Sequence, residues 1–97
     1  MKLLTQELRR MLPLLYAQEN EKDPMVYVKF FAPWSRWTWY ITEFDGKDLF
    51  FGLTCGFEDE WGYISLAELE RVKGPVGLKI ERDLHFKPCT ISEAKQR

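Results

Sequence analysis

A chain of 97 residues accommodates one domain and excludes two, and an apolar fraction of 45% supplies a single core without covalent staples. Aromatic residues make up 15%, with four Trp and seven Phe, which excludes a disordered segment. A net charge of −1 excludes both a strongly cationic nucleic-acid binder and a polyanion mimic. The charge is nevertheless segregated. Eight acids and one base, Lys47, lie between Glu43 and Glu70, which therefore carries −7, while the remaining residues carry +6. Such a division either steers partners or reflects solvated turns and a solvated helix face. No apolar run approaches the roughly 20 residues of a membrane-spanning helix. The first seven residues become charged at Glu7 before a signal-peptide core develops. Cys55 and Cys89 lack metal-ligand spacing, so the expectation is a cytoplasmic protein with free thiols, no metal and no cofactor.

In chain order, the first expected element is a helix. Thr5 is suited to cap it, Glu7 stands in its first turn, and Leu4, Leu8, Met11, Leu12 and Leu15 form one apolar stripe. Pro13 ends or kinks it near Leu12. Residues 14–17 offer a further turn, and Gln18 to Pro24 reads as a loop. Met25–Ala32 alternates, with Val26, Val28, Phe30 and Ala32 on one face and Tyr27, Lys29 and Phe31 on the other. Trp37–Glu43 and Leu49–Cys55 alternate as well. A four-residue loop, Pro33 to Arg36, pairs Ala32 with Trp37, Phe30 with Trp39 and Val28 with Ile41. A three-residue loop, Phe44-Asp45-Gly46 with Gly46 left-handed, pairs Ile41 with Leu49, Trp39 with Phe51 and Trp37 with Leu53. Both hairpins then agree on one apolar face, carrying Leu49, Phe51, Leu53 and Cys55, and Trp39 lies between Phe30 and Phe51.

Trp61–Ser65 is the fourth expected strand. Ser65 to Glu68 reads as a capping box opening a helix whose Leu66, Leu69 and Val72 face inward, with Gly74-Pro75 stopping it. Leu78–Phe86 reads as a fifth strand or edge segment. Thr90 to Glu93 caps a last helical turn. The fold class is α+β: an antiparallel β-meander of four to five strands, an N-terminal helix and a second short helix after strand 4, in one domain spanning 1–97.

The residues offer little for catalysis. His85 is the only histidine, Cys55 falls on the expected core face, Cys89 reads as more exposed, and the serines occupy turn or cap positions. Gly74-Pro75-Val76-Gly77 lacks the spacing of a phosphate loop, and the acid clusters do not match a calcium loop. No catalytic residue and no metal ligand is assigned. The second sheet face invites a binding role, because Tyr27, Lys29, Phe31, Tyr40 and Phe50 share it with threonines. Such a face stacks bases, or forms a protein-binding patch, or is covered by a helix. Trp34 and Arg36 on the hairpin tip are interface-type residues, unless Trp34 folds back over the sheet end. The candidate binding residues are therefore Tyr27, Lys29, Trp34, Arg36, Tyr40 and Phe50.

Several segments resemble one family of small bacterial proteins, domain of unknown function 2958. They are Leu14-Leu15-Tyr16 with Gln18-Glu19-Asn20, Val26 to Phe31, Trp37 to Tyr40, Glu43 to Gly46, Phe50 to Leu53, Gly62 to Leu66, and Ile80 to Phe86. The resemblance spans nearly the whole chain. It implies a single-domain cytoplasmic protein often carried by phages, plasmids and integrated elements, and it brings no activity and no catalytic residues. The preferred expectation is a non-enzymatic module binding a protein partner, in this setting one that modulates a host process. One alternative is a single-stranded nucleic-acid binder using the aromatic face. The other is an enzyme centred on His85 with Glu81 or Asp83.

Overall fold

In the computed structural model, which describes residues 1–97, Thr5 accepts the Leu8 N–H at 3.2 Å and opens α1, Gln6–Met11. The helix closes at Leu12, one residue before Pro13, where a proline must end it. The strands are β1 (Met25–Val26), β2 (Val28–Phe31), β3 (Thr38–Phe44), β4 (Leu49–Cys55) and β5 (Asp59–Ser65). Helix α2 (Leu66–Arg71), a 3-10 turn at Pro75–Gly77, β6 (Glu81–Arg82), β7 (Cys89–Thr90) and α3 (Ile91–Gln96) complete the chain. The main sheet is antiparallel in the order β5-β4-β3-β2-β6, and β1 pairs with β7 as a separate ribbon. This is the expected α+β meander with an N-terminal helix and a helix after the strand that ends at Ser65.

The β2–β3 hairpin has the expected register: Val28 faces Ile41, Phe30 faces Trp39, and Ala32 donates to the Trp37 carbonyl at 3.0 Å across the four-residue loop. The β3–β4 register differs. Phe44 faces Phe50 and Glu43 faces Phe51, after which the pairing shifts, so that Ile41 faces Gly52, Tyr40 faces Leu53 and Trp39 faces Thr54. Thr42 is the extra residue of a β-bulge, and a bulge exchanges the two faces along a strand. The connection is also longer than three residues. Asp45 donates to the Leu49 carbonyl, and its side chain accepts the amides of Lys47, Asp48 and Leu49, with Gly46 left-handed at φ 89° as expected. Trp39 therefore lies between Phe30 and Thr54, and Phe50, rather than Phe51, enters the core.

That core contains Leu3, Leu4 and Leu12, the strand residues Val28, Phe30, Ile41, Phe44, Phe50 and Ile64, and Leu66, Leu69 and Ile80. The Phe50 ring lies 5.6 Å from Phe30 and 4.7 Å from Phe44, a tilted trio at its centre. A second cluster forms on the opposite face from Val26, Tyr40, Leu53, Cys89, Ile91 and Ala94. The expected single strand Met25–Ala32 breaks at Tyr27, so Val26 joins the second cluster and Val28 the first. Cys89 is buried there rather than exposed. Helix α3 is a complete element: Thr90 and Glu93 form a reciprocal capping box, and Ile91 and Ala94 seal Tyr40.

At α2 the reciprocal partner of Ser65 is not Glu68. Asp48 takes the Ser65 hydroxyl at 2.6 Å and the Ala67 amide at 2.8 Å, and its carbonyl takes the Leu66 amide. Leu66 and Leu69 are buried as expected, whereas Val72 is exposed.

The register separates two neighbouring phenylalanines. Phe50→Ala should cost about 3–5 kcal/mol in urea unfolding, whereas Phe51→Ala, on the open side, should cost clearly less. Equal costs would overturn the bulge. The Ser65 hydroxyl, then the Ala67 amide, hold the Asp48 carboxyl below the usual carboxylate range, and the Lys47, Asp48 and Leu49 amides do the same for Asp45. A depressed carboxyl contributes stability that is full above its ordinary value and lost as the pH falls through the lowered one. Acid unfolding should therefore steepen below about pH 4, and Asp48→Asn should flatten that decline, measured by urea midpoints across pH.

Candidate functional site

An aromatic-walled cleft on the surface is built outward from Glu43. This acid follows the bulge residue Thr42, is only 4% exposed, and its two carboxyl oxygens accept the amides of Tyr16 at 2.8 Å and Gln18 at 2.7 Å. The Gln18 side chain then takes the Met25 amide and donates to the carbonyls of Met25 and Thr42. Phe44 donates to the Pro13 carbonyl. Residues 13–18 thus close the edge of β3 beyond the end of β2. A buried backbone edge needs such partners.

The clamp holds Tyr16 left-handed at φ 73°, a conformation costing a non-glycine residue on the order of 1–2 kcal/mol. In that conformation its hydroxyl meets the Tyr63 hydroxyl at 2.9 Å. The same contact, more than burial, raises the Tyr63 phenol above its ordinary value. Tyr63 packs edge-on to Phe51 with ring centres 5.5 Å apart, and Trp61 stacks on Phe51 at 5.9 Å and 14°. The result is a cleft of about 390 Å³ with aromatic walls and Glu19, Glu21, Lys22 and Glu43 among its polar lining. Tyr16, Trp61 and Tyr63 remain 60%, 45% and 53% exposed.

The structure does not gather the sequence-derived candidates into one place. Phe50 is fully buried in the first core and offers no surface. Tyr40 is sealed by α3, and burial raises its phenol. Tyr27 is half-buried against the first core. Trp34 folds back over the sheet end, its ring so close to Gly74 that a Cβ there would meet it at 2.5 Å. Arg36 stands exposed at the tip, with Pro33 and Ser35. Lys29 reaches Asp83 at 3.9 Å and the Tyr40 ring at 5.8 Å. The second face does carry open aromatics, but they are Phe51, Trp61 and Tyr63, joined by Tyr16 from the loop. The alternation along Asp59–Ser65 could have identified Trp61 and Tyr63; Glu43 and the bulge left no signal of their own.

His85 and Lys29 share an open hollow beside β6 with Asp83. Asp83 accepts the His85 backbone amide at 2.9 Å, and no hydrogen bond joins the imidazole to Asp83 or Glu81. Burial and Asp59 push the Cys55 thiol up to about 11, and burial raises that of Cys89. Neither is an activated nucleophile. No group of three or more His, Cys, Asp or Glu is placed to hold a metal, and no helix is long and apolar enough to cross a membrane.

The family model described as "Protein of unknown function (DUF2958)" matches residues 3–94. The chain belongs to the DUF2958 family. The match takes in every part of the cleft, from the Tyr16 loop to β5. No curated protein and no solved structure matches.

The DUF2958 cleft rests on its clamp. Glu43→Ala should leave the Tyr16 and Gln18 amides without acceptors and cost about 2–4 kcal/mol, since two charge-capable hydrogen bonds are lost. Amide exchange at Tyr16 and Gln18 should rise with it; unchanged exchange at both would show that the clamp does not hold the loop.

Proposed function

We propose that this DUF2958 protein is a non-enzymatic binding module that engages a protein partner through the cleft of Tyr16, Phe51, Trp61 and Tyr63. The observation carrying this reading is that three large aromatic side chains stay open to solvent, two on a paired strand and the third, Tyr16, with its backbone fixed by a buried hydrogen-bond clamp. Tyr and Trp in a preorganised concave patch are the side chains that most often anchor protein interfaces. The acids favour a protein over single-stranded nucleic acid. Glu19 and Glu21 border the cleft against one base, Lys22, and Glu60 stands exposed near the start of β5, where Asp59 is paired with Lys95 at 2.7 Å; the net negative surround repels a polyanion. Two unpaired cysteines, one buried, suit a reducing cytoplasm. The family resemblance adds carriage on mobile elements and a partner belonging to a host process.

Capture of partners from host cells tests the reading. Trp61→Ala and Tyr63→Ala should each weaken capture by about 2 kcal/mol or more, roughly thirtyfold, with secondary structure retained by circular dichroism. His85→Ala should leave capture intact. Nuclease treatment should not release what is captured. Recovery of nuclease-sensitive material, or full capture by the two aromatic variants, would sink the proposal.

A further inference from the structure

The sheet has two edges of different character. β6 is two residues long, and a short edge is a common protection against unwanted pairing. β5 is seven residues long, pairs with β4 without a bulge, and carries no Pro, Lys or Arg. Its hydrogen-bond direction can be read from its end. The Leu66 amide donates to the Asp48 carbonyl in continuation of the β4–β5 register. Bonded pairs alternate in an antiparallel ladder, so Ile64, Gly62 and Glu60 point their backbone groups at β4. The N–H and C=O groups of Trp61 and Tyr63 therefore point outward, and no part of the chain bonds them.

These are the two residues whose side chains form the open wall of the cleft. On the opposite face the neighbouring side chain is Glu60, exposed, in a hollow shared with Glu58 and Phe57 of the preceding turn and with Trp37. A strand lying along β5 would alternate its own side chains between these two environments, one walled by Trp61 and Tyr63 and the other carrying the exposed acids Glu58 and Glu60.

We propose that β5 is the docking edge for an extended segment of a partner protein in which apolar and basic residues alternate, added as a further strand. Apolar side chains lie on Trp61 and Tyr63, basic ones reach Glu58 and Glu60, and the four outward backbone groups supply the pairing. The occupant is basic on charge grounds. A second copy of this chain would instead bring two acidic Glu43–Glu70 segments, each carrying −7, against one another. The inference rests on the protein-binding reading of the cleft and specifies how the partner is held.

Three capped eight-residue peptides added to the full chain test it, with amide exchange followed by NMR. They are an alternating Arg/Val peptide, its Glu/Val counterpart, and an Arg/Val copy N-methylated at every second residue. The Arg/Val peptide should slow exchange at Trp61 and Tyr63 by about tenfold or more and leave the already paired Gly62 unchanged. The other two should not. A Glu58→Lys, Glu60→Lys double variant, changed only at exposed positions, should prefer the Glu/Val peptide. Absence of protection by Arg/Val at millimolar concentration, equal protection by Glu/Val, or protection by the methylated copy would overturn the proposal. Protection without peptide in a sedimenting dimer would also overturn it and assign the edge to a second copy. Capture of the cellular partner that depends on Trp61 while both amides stay unprotected would end strand addition and leave the cleft reading standing.

Discussion

One buried acid organises one half of the molecule. Glu43 accepts two backbone amides from a loop twenty-five or more residues earlier in the chain, and neither contact could be replaced by water without opening the end of β3. Where β2 ends, β3 has lost its neighbour, and the loop 13–18 supplies one through Gln18 and Pro13. The short strands on this side are therefore coupled to the N-terminal helix through hydrogen bonds rather than through a continuous ladder. Side-chain acceptors of this kind satisfy the accounting that buried backbone groups impose.

The bulge at Thr42 is the other half of the same device. It turns Glu43 toward the side of Phe51 while leaving Phe44 to stack on Phe50 in the core. Without the inserted residue, Phe44 and Ile41 would lie on opposite faces of β3, and one of the two would leave the first core. The Thr42 hydroxyl donates to the Phe51 carbonyl at 3.0 Å, which satisfies part of what the bulge removes from the ladder. Gly52, opposite Ile41, has no room for a Cβ because the Tyr40 carbonyl would stand 2.1 Å from it, so the backbones approach closely at this point. A bulge of this kind raises the local twist of the strand pair.

Much of the fold can be read from the residues, and the failures come from breaks in strand parity and from elements too short to announce themselves. The β2–β3 register was readable because both strands alternate cleanly and the loop between them has a length that keeps parity. The caps at Thr5, Ser65 and Thr90 were readable because a capping side chain acts within three residues. The β3–β4 register was not readable, since a bulge reverses parity without changing composition, and Glu43 looks like any other acid in an acidic segment. Tyr27 conceals a second break in parity, which sends Val26 and Val28 to different clusters. The face at Tyr40, expected either open or covered by a helix, is covered by α3, whose Ile91 and Ala94 are too few to announce a packing helix by periodicity. Among the candidate binding residues, the bulge sends Phe50 into the first core, α3 covers Tyr40 and Trp34 folds back to Gly74, so the open aromatics of the second face are Phe51, Trp61 and Tyr63.

The same geometry links the stability of the cleft to its possible use. Tyr16 adopts a left-handed backbone that a tyrosine avoids, and it is kept there by Glu43 below and by the Tyr63 hydroxyl in front. Strain held by surrounding contacts is a means of fixing a side chain before a ligand arrives, and fixing it beforehand lowers the entropy that binding must overcome. Trp61 and Tyr63 gain a similar restraint from stacking on Phe51, which is itself anchored in the sheet interior. The wall is therefore rigid on three sides and unpaired on the fourth, along β5. A surface with ordered aromatics, an acidic surround and free strand hydrogen bonds has few favourable companions. Water satisfies the backbone but not the rings, and a polyanion satisfies the rings but not the charge. A polypeptide strand with basic side chains satisfies all three, which is the reason it is the occupant proposed for this edge.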